Sequence, residues 1–498
     1  VSGAPWLADA LGWLRARAPA ARDLQADSRK LAPGDVFVAL PGARVDGRAF
    51  VADAVTRGAA AVLVEAQGWS GSAAVPVLPV PDLAAGLGEL AAAWYGEPSA
   101  ELLSIGVTGT NGKTSCSQWI AQLLGASGRR CAVIGTVGSG FPGGEWRDAE
   151  LTTPDALALQ REVRRLRAAG AQALAMECSS IGLEQGRVAG MHFDLALFTN
   201  LTRDHLDYHG SMAAYEAAKT RLFDWPGLHH AVVNLDDPMG LRLAQRLAGR
   251  SDVQVTGYGL GPAAAPVALH VQAQQVRATA QGLSFTVVAG GRRAAVEVPL
   301  VGQFNVSNLL GVLGCALAAG VDFDAACRQL PRLVPPPGRM QRVGGSDGPL
   351  AVIDYAHTPD ALVQALAALR PAARARGGAL WVVFGAGGDR DPGKRATMGE
   401  AAARGADHLV VTSDNPRSED PAAIVAAVAR GAAAARHCEC IVDRAAAIAH
   451  ALTEAAPADV VLIAGKGHEP YQEIAGRRLP FSDLEHARAA LDARKLPA

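Results

Sequence analysis

Apolar residues along this chain fall into short runs that alternate with longer Ala-rich stretches of helical period, the pattern of parallel strands joined by crossover helices. From about Asp35 to Pro81 the runs DVFVAL, AAAVLVEA and VPVLPV, separated by Gly/Asp turns, predict a small α/β domain. The segment EPSAELLSIG, from Glu97, leads into a second domain, where LLSIGVTG, CAVIGTV, ALAMEC, DLALFTN and HAVVNLD are buried-strand candidates. Between Val253 and Leu300 the period falls to two in VALHVQAQ, LSFTVVA and AAVEVPL, which predicts an antiparallel ribbon, either an insertion or an edge sheet. The proline run Pro335 to Pro337 stops helical structure and makes a hinge into a third domain. There LAVIDYAHTPD, ALWVVFGAGGDRD, HLVVTSDNPR and DVVLIAGKGHE each run from a strand into a polar loop, and ligands of open α/β sheets bind beyond such strand ends. The expectation is an α/β protein of three domains, 1–96, 97–337 and 338–498: a small α/β domain, a central P-loop-like parallel-sheet domain with the ribbon, and a Rossmann-like domain.

Composition changes this picture little. A chain of 498 residues exceeds one hydrophobic core, and 49% apolar with 19% charged residues is ordinary for a soluble globular protein. A formal net charge of -1 supplies neither a basic field for nucleic acid nor a polybasic patch for a membrane, so small-molecule partners are expected. The seven cysteines form no CxxC pair, only Cys438 and Cys440 lie close together, and reduced thiols fit a cytosol. VSGAPWLADALGWLRARAPA lacks the pattern of a secretory signal and reads as an amphipathic helix. No stretch reaches the roughly 18 apolar residues of a membrane span. A cytoplasmic monomer is expected.

The run IGVTGTNGKTS, Ile105 to Ser115, directly follows a strand and precedes a helix. That context suits a phosphate loop: Gly109, Thr110, Asn111 and Gly112 let backbone N–H groups approach the phosphates, Lys113 adds positive charge, and the Thr114 hydroxyl can reach magnesium. The strict Walker spacing fails, because Val107 lies five residues before Gly112 while glycines stand at Gly106 and Gly109. The alternative is an ordinary Gly-rich strand–helix turn.

GTNGKT resembles the nucleotide loop of the Mur ligases and the folylpolyglutamate synthetases. The likeness runs over nearly the whole chain, through DSRKLAPGDVFVALPG, MECSSIGLEQGRV, TNLTRDHLDYHG, YEAAK, FNVSN, PGRM, DYAHTPD, GGDRDPGKR, DNPR and GKGHE. In that order the motifs are similar to the MurE branch, ligases that extend UDP-N-acetylmuramoyl-L-alanyl-D-glutamate. The resemblance implies an ATP-dependent ligase that activates the D-glutamate γ-carboxylate as an acyl phosphate and couples it to meso-diaminopimelate, in peptidoglycan precursor synthesis.

It also implies a set of roles. Lys113, Glu177, His205 and Lys219 would be catalytic, with Glu177 joining Thr114 around one magnesium and His205 near a second. Lys219 would be carbamylated by carbon dioxide, which turns a cation into an anion for the second magnesium and requires a neutral amine. ATP would be held by Gly109 to Ser115 together with Asn305, Asn308, Arg339 and Asp354. The N-terminal domain would hold the uridine nucleotide through Ala26, Ser28, Ala43, Arg44 and Val45, and Thr152, Thr153, Ser179, Gln185 and Arg187 would hold the sugar-peptide. Arg390, Asp414, Asn415, Pro416, Arg417, Gly465 and Glu469 would bind diaminopimelate. DNPR resembles the diaminopimelate type, whereas lysine-adding enzymes lack that arginine.

Bland readings stand beside these. A lone strand-end Glu or loop His is commonly solvated or structural, Lys219 alone would read as a helix-surface lysine, Asn305 and Asn308 as capping residues, and Asn-Pro as a turn. Leu151 replaces an asparagine found before the threonine pair in some relatives, and Ile181 stands where a histidine commonly follows two serines. Rival functions are a lysine-adding enzyme of the same branch, a folylpolyglutamate-type ligase and a nucleotide-binding scaffold that has lost chemistry.

Overall fold

The computed structural model describes residues 4–42 and 45–494, so Ala43 and Arg44 of the expected uridine loop lie outside the described residues. Helix Leu7–Arg17, the amphipathic segment, precedes a four-stranded sheet in the order Leu24–Gln25, Val36–Ala39, Ala61–Glu65, Val77–Val80. All its pairings are parallel. Both faces are covered, so the strands read as continuous apolar runs: Val36, Val38 and Leu63 pack with Leu14 and Leu90, while Phe37, Val62 and Val64 pack with Val51 and Ala54.

The chain folds into two compact units, one of Val1–Gly257, Ala263–Leu269 and Gly314–Val321, the other of Tyr258–Pro262, His270–Leu313 and Asp322–Ala498. In the first, the strands His230–Asn234, Leu195–Phe198, Leu103–Thr108, Ala173–Glu177 and Cys131–Gly135 lie side by side in that order, all parallel. Helix Ala156–Ala168 shows how the crossovers seat. Asp155 caps its first turn by accepting from the Leu157 and Ala158 amides, and Leu159, Val163 and Leu166, at helical spacing, pack on Leu174 and Met176 of the sheet. The sheet continues into an antiparallel hairpin, Gly138–Gly140 and Trp146–Arg147, which the apolar pattern does not announce.

The second unit contains nearly all of the expected ribbon, Leu269–Thr279, Gly282–Ala289 and Arg292–Val298, paired antiparallel. Its largest sheet runs Gln341–Gly344, Leu350–Asp354, Val460–Ala464, Leu380–Phe384, His408–Val411, Cys438–Cys440. The first pairing is antiparallel and the others parallel. The four loops singled out in the sequence therefore leave this sheet from the same edge. A further hairpin, Tyr471–Ile474 with Arg477–Pro480, follows GKGHE. Among the described residues, no helix is long and apolar enough to cross a membrane.

Candidate active site

Sheet register builds the candidate phosphate site. Val107 pairs with Glu177 and Thr108 with Phe198, so the GTNGKT loop, the Glu177 carboxylate and Thr199–Asn200 meet at one carboxyl edge. Gly109 has φ +146°, and a Cβ there would strike the Thr199 hydroxyl, so only glycine allows this turn. Thr199 Oγ1 donates to Asn111 O at 2.6 Å, and Asn200 grips the same residue from both sides, accepting from Asn111 N at 3.0 Å and donating to Asn111 O at 3.1 Å. Helix Lys113–Ala126 starts at the loop's end and presents its positive pole there. Lys113 Nζ donates to the Gly109 and Thr110 carbonyls, each at 2.8 Å.

Glu177 is 1% exposed and wholly engaged. Its Oε2 accepts from Thr114 Oγ1 at 3.0 Å and Thr136 Oγ1 at 3.1 Å, and its Oε1 accepts from the Thr136 amide at 2.8 Å. Thr136 in turn lies 3.0 Å from Thr152, hydroxyl to hydroxyl. One carboxylate thus joins the nucleotide loop to the LTTPD loop through a threonine that sequence reasoning missed, its one signal being its place just beyond the strand Cys131–Gly135. Hard oxygen donors at Thr114 and Glu177 fit magnesium. Thr136→Val, which keeps the shape but loses the hydroxyl, is expected to lower activity at limiting magnesium about 10- to 100-fold, with partial recovery at high magnesium. A magnesium titration of initial rates checks this, and an unchanged curve would remove Thr136 from the site.

Lys219 lies on helix Met212–Thr220 yet is 1% exposed, so it is no helix-surface lysine. Its Nζ donates to Gly109 O at 2.8 Å and sits 4.3 Å from the Tyr215 ring centroid. Burial, reinforced by the Lys113 charge, lowers its pKa to about 6. As an ammonium Lys219 cannot ligate a metal; as a neutral amine it can take up carbon dioxide. Tyr215, also missed in the sequence, lies 3.1 Å from the Thr110 hydroxyl and so ties this helix to the loop. His205 adopts φ +51°, its half-exposed ring 3.6 Å from Asp204 and edge-on to Tyr215 at 6.2 Å.

The expected sugar-peptide residues converge on the same edge. Thr153 Oγ1 donates to Glu177 O at 2.9 Å and accepts from the Ser179 amide at 3.0 Å. Arg187 donates to Thr153 O at 3.0 Å and to Gln185 Oε1, and Gln185 donates to the Tyr208 hydroxyl at 3.1 Å. His209 fixes this corner: Nε2 is 2.9 Å from Ser180 Oγ and Nδ1 2.9 Å from Glu184. Leu151 is exposed and Ile181 half-buried. In the small domain Ser28 is buried, whereas Ala26 and Val45 are exposed. Lys30, two residues after Ser28, pairs with Glu150 at 2.7 Å, which sets the DSRK segment beside the LTTPD loop.

The second unit holds the remaining candidates. Asn305 Nδ2 donates to Val301 O at 2.8 Å and Asn308 Nδ2 to Asn305 Oδ1 at 3.1 Å, so both asparagines brace the start of helix Phe304–Ala318. The Arg339 guanidinium lies 5.5 Å from the Tyr355 ring centroid. Asp354 accepts from the Met340 and Ala356 amides at 2.9 and 3.0 Å, and burial raises its pKa despite those bonds and the Arg339 charge.

DNPR and GKGHE interlock. The Asp414 carboxylate is buried against Gly465, where φ is +121° and any Cβ would collide with it. Burial raises the Asp414 pKa, with Arg444 and Lys466 opposing. Fully buried Lys466 donates to Asn415 Oδ1 at 3.0 Å and Glu469 Oε2 at 3.1 Å, and Asn415 donates to the same Glu469 oxygen at 2.8 Å. Arg417, with φ +54°, donates from Nη1 to Gly388 O at 2.6 Å, and its Nε lies 3.8 Å from Glu473. Its backbone pairs with the hairpin strand at Ile474, and Pro416 lies beside Gly388. Arg390 is exposed on the GGDRD loop. Lys466, Glu473 and the hairpin were not singled out in the sequence.

Comparison with known proteins identifies the family. Residues 22–95 match the model of the Mur ligase family catalytic domain, 107–316 the Mur ligase middle domain, and 338–467 the Mur ligase glutamate ligase domain. The chain belongs to the Mur ligase family, and it is an ATP-dependent amide-bond-forming ligase. It is 52% identical to the UDP-N-acetylmuramoyl-L-alanyl-D-glutamate--2,6-diaminopimelate ligase of Janthinobacterium sp., over 98% of this chain and 97% of the relative. To the enzyme of the same name from Ralstonia nicotianae it is 55% identical, over 99% and 97%. A solved structure of a ligase with that name, 39% identical, superposes with a TM-score of 0.71 over 96% of each chain. MurF from Thermotoga maritima in complex with ADP, 19% identical with a TM-score of 0.62 over 95% of this chain and 98% of that one, shares the fold.

Proposed function

We propose that the chain adds meso-diaminopimelate to the D-glutamate γ-carboxylate of UDP-MurNAc-L-Ala-D-Glu, in the cytoplasm, in peptidoglycan precursor synthesis. The observation that carries the reading is the Glu177 hub, bonded to Thr114 of the nucleotide loop and, through Thr136, to Thr152 of the substrate loop. Such a junction suits a reaction in which phosphate passes from ATP to a carboxylate. The small domain, 1–96, takes the uridine nucleotide, 97–337 takes ATP and 338–498 the amino acid.

A γ-carboxylate oxygen attacks the γ-phosphorus of ATP and ADP leaves, giving the acyl phosphate. The neutral amine of diaminopimelate then attacks the acyl carbon, the C–N bond forms, inorganic phosphate departs, and the amine proton is released to solvent. The protein supplies position and charge. Lys113 and the amide-rich helix start hold the phosphates, Arg187 and the threonine pair hold the acceptor peptide, and Arg417 with Glu469 holds the amino acid. Magnesium, when bound, neutralises the crowded phosphate charge; Thr114 and Glu177 would hold one ion, and His205 with carbamylated Lys219 another. Carbamylation needs the neutral amine that burial creates at Lys219: its lone pair forms an N–C bond to carbon dioxide and a proton is lost.

Phosphate release from ATP, measured with the nucleotide dipeptide and a panel of amino acids, tests the reading. Release dependent on both the dipeptide and diaminopimelate is expected. Equal release with lysine, release with a folate acceptor, or none at all would overturn it.

A further inference from the structure

Behind the amino-acid loops, where no ligand can reach, lies a fully buried ion pair. Arg444, in the first turn of helix Arg444–Glu454, donates from Nε to Asp483 Oδ1 and from Nη2 to Asp483 Oδ2, both at 2.8 Å, and both side chains are 0% exposed. Asp483 opens the helix Asp483–Ala493. The same guanidinium reaches two strand ends: Nη2 donates to Ala464 O at 3.0 Å and Nη1 lies 3.4 Å from Ser413 O. Ala464 immediately precedes GKGHE and Ser413 immediately precedes DNPR.

A buried pair of this kind is a poor device for stability, because apolar residues of similar volume would serve as well. What apolar residues could not do is bond two backbone carbonyls at once. Arginine's planar fork can satisfy a carboxylate and two carbonyls together, whereas lysine, a single ammonium on a flexible stem, cannot hold that geometry. In front of this pin the loops touch each other through Asp414 against Gly465 and through Lys466 to Asn415 and Glu469.

We propose that Arg444, anchored by Asp483, is a positioning residue that sets the spacing between the DNPR and GKGHE loops, and so the amino-acid affinity of the site. The inference rests on the reading of those loops as the diaminopimelate site. It assigns a role in substrate selection to a residue that touches no substrate, and it extends the site to the last helix described.

Two variants test it, Arg444→Lys and the double variant Arg444→Met with Asp483→Leu, which removes both buried charges together so that neither is stranded. In each, the KM for diaminopimelate should rise about tenfold to a hundredfold, since a displacement of about 1 Å far from the chemistry can cost that much. The KM values for ATP and the nucleotide dipeptide should stay within about twofold of wild type. A merely structural pair would lower the melting temperature and the active fraction without this selectivity. Folded variants with an unchanged diaminopimelate KM, or with all three KM values raised together, would overturn the proposal.

Amide exchange on the wild type supplies a reading that does not depend on either variant folding. Saturating diaminopimelate should slow exchange in 414–417, in 465–469 and also at the amides of Ala446 and Ala447 behind them, and protection confined to the two loops would overturn the pin. A wild type that turns over no diaminopimelate would instead overturn the proposed function, which separates the two failures.

Discussion

Lys219→Ala is expected to lower ligation at least about a hundredfold while the protein stays folded, because the substitution removes the amine beside the phosphate loop whose carbamate would help hold the second magnesium. Added bicarbonate should not rescue the alanine variant, which has no amine to carbamylate. The buried lysine carries a second signature, in stability. Its folded pKa is lowered to about 6 from 10.5, so between those values the unfolded chain binds a proton that the folded chain does not. Stability therefore rises with pH across that window, and below about pH 6 the full penalty of charging a buried amine is felt. Lys219→Met, which fills the same space beside Tyr215 without a titrating group, should flatten this slope. Urea midpoints of the wild type and Lys219→Met at pH 6 and pH 9, in buffer freed of carbon dioxide, should therefore converge as pH rises. Near-normal turnover by Lys219→Ala would remove the lysine from the mechanism, and parallel pH profiles would show that the buried neutral amine is absent.

Much of this site was legible in the sequence because its parts are strand ends. An apolar run that stops at a glycine loop locates GTNGKT, and the same rule locates Glu177 after ALAM, DNPR after HLVVTS and GKGHE after DVVLI. The groups that were not legible act across distances that the chain order hides. Thr136 matters because the strand Cys131–Gly135 lies beside Ala173–Glu177, a pairing that no local pattern reveals. Tyr215 shares a helix with Lys219, which the family resemblance singled out, but which face of that helix is buried depends on the phosphate loop beneath. The hairpins are short, and a strand such as Arg477–Pro480, exposed throughout, carries no apolar alternation to betray it. Arg444 is the extreme case, since an arginine after Asp443 at a helix start reads as a solvated charge until Asp483 is placed beside it.

Arg417→Ala should raise the KM for diaminopimelate far more than the KM for ATP or the nucleotide dipeptide. Diaminopimelate carries a carboxylate on its far stereocentre that lysine lacks, and a planar guanidinium of five donors is the group best suited to grip it bidentately. In this protein the arginine is held ready. Nη1 is pinned to Gly388 O, Glu473 lies beside Nε, and the backbone at φ +54° is locked by pairing with the hairpin. Preorganisation of that kind sharpens the difference between the two amino acids. With lysine bound, the half-buried guanidinium keeps Gly388 O and Glu473 but loses the charged hydrogen bonds to the far carboxylate, worth about 1–3 kcal/mol. That corresponds to discrimination of about fivefold to 150-fold from this one contact. The alanine variant should therefore lose most of its preference, with diaminopimelate falling toward the level of lysine and lysine losing little. Alanine is a cleaner choice than glycine, because glycine would also release the strained left-handed backbone and loosen the turn. Steady-state kinetics with both amino acids decide the matter. If both suffered equally, or if the wild type preferred lysine, DNPR would be a turn and nothing more, and the far carboxylate would have to be recognised elsewhere.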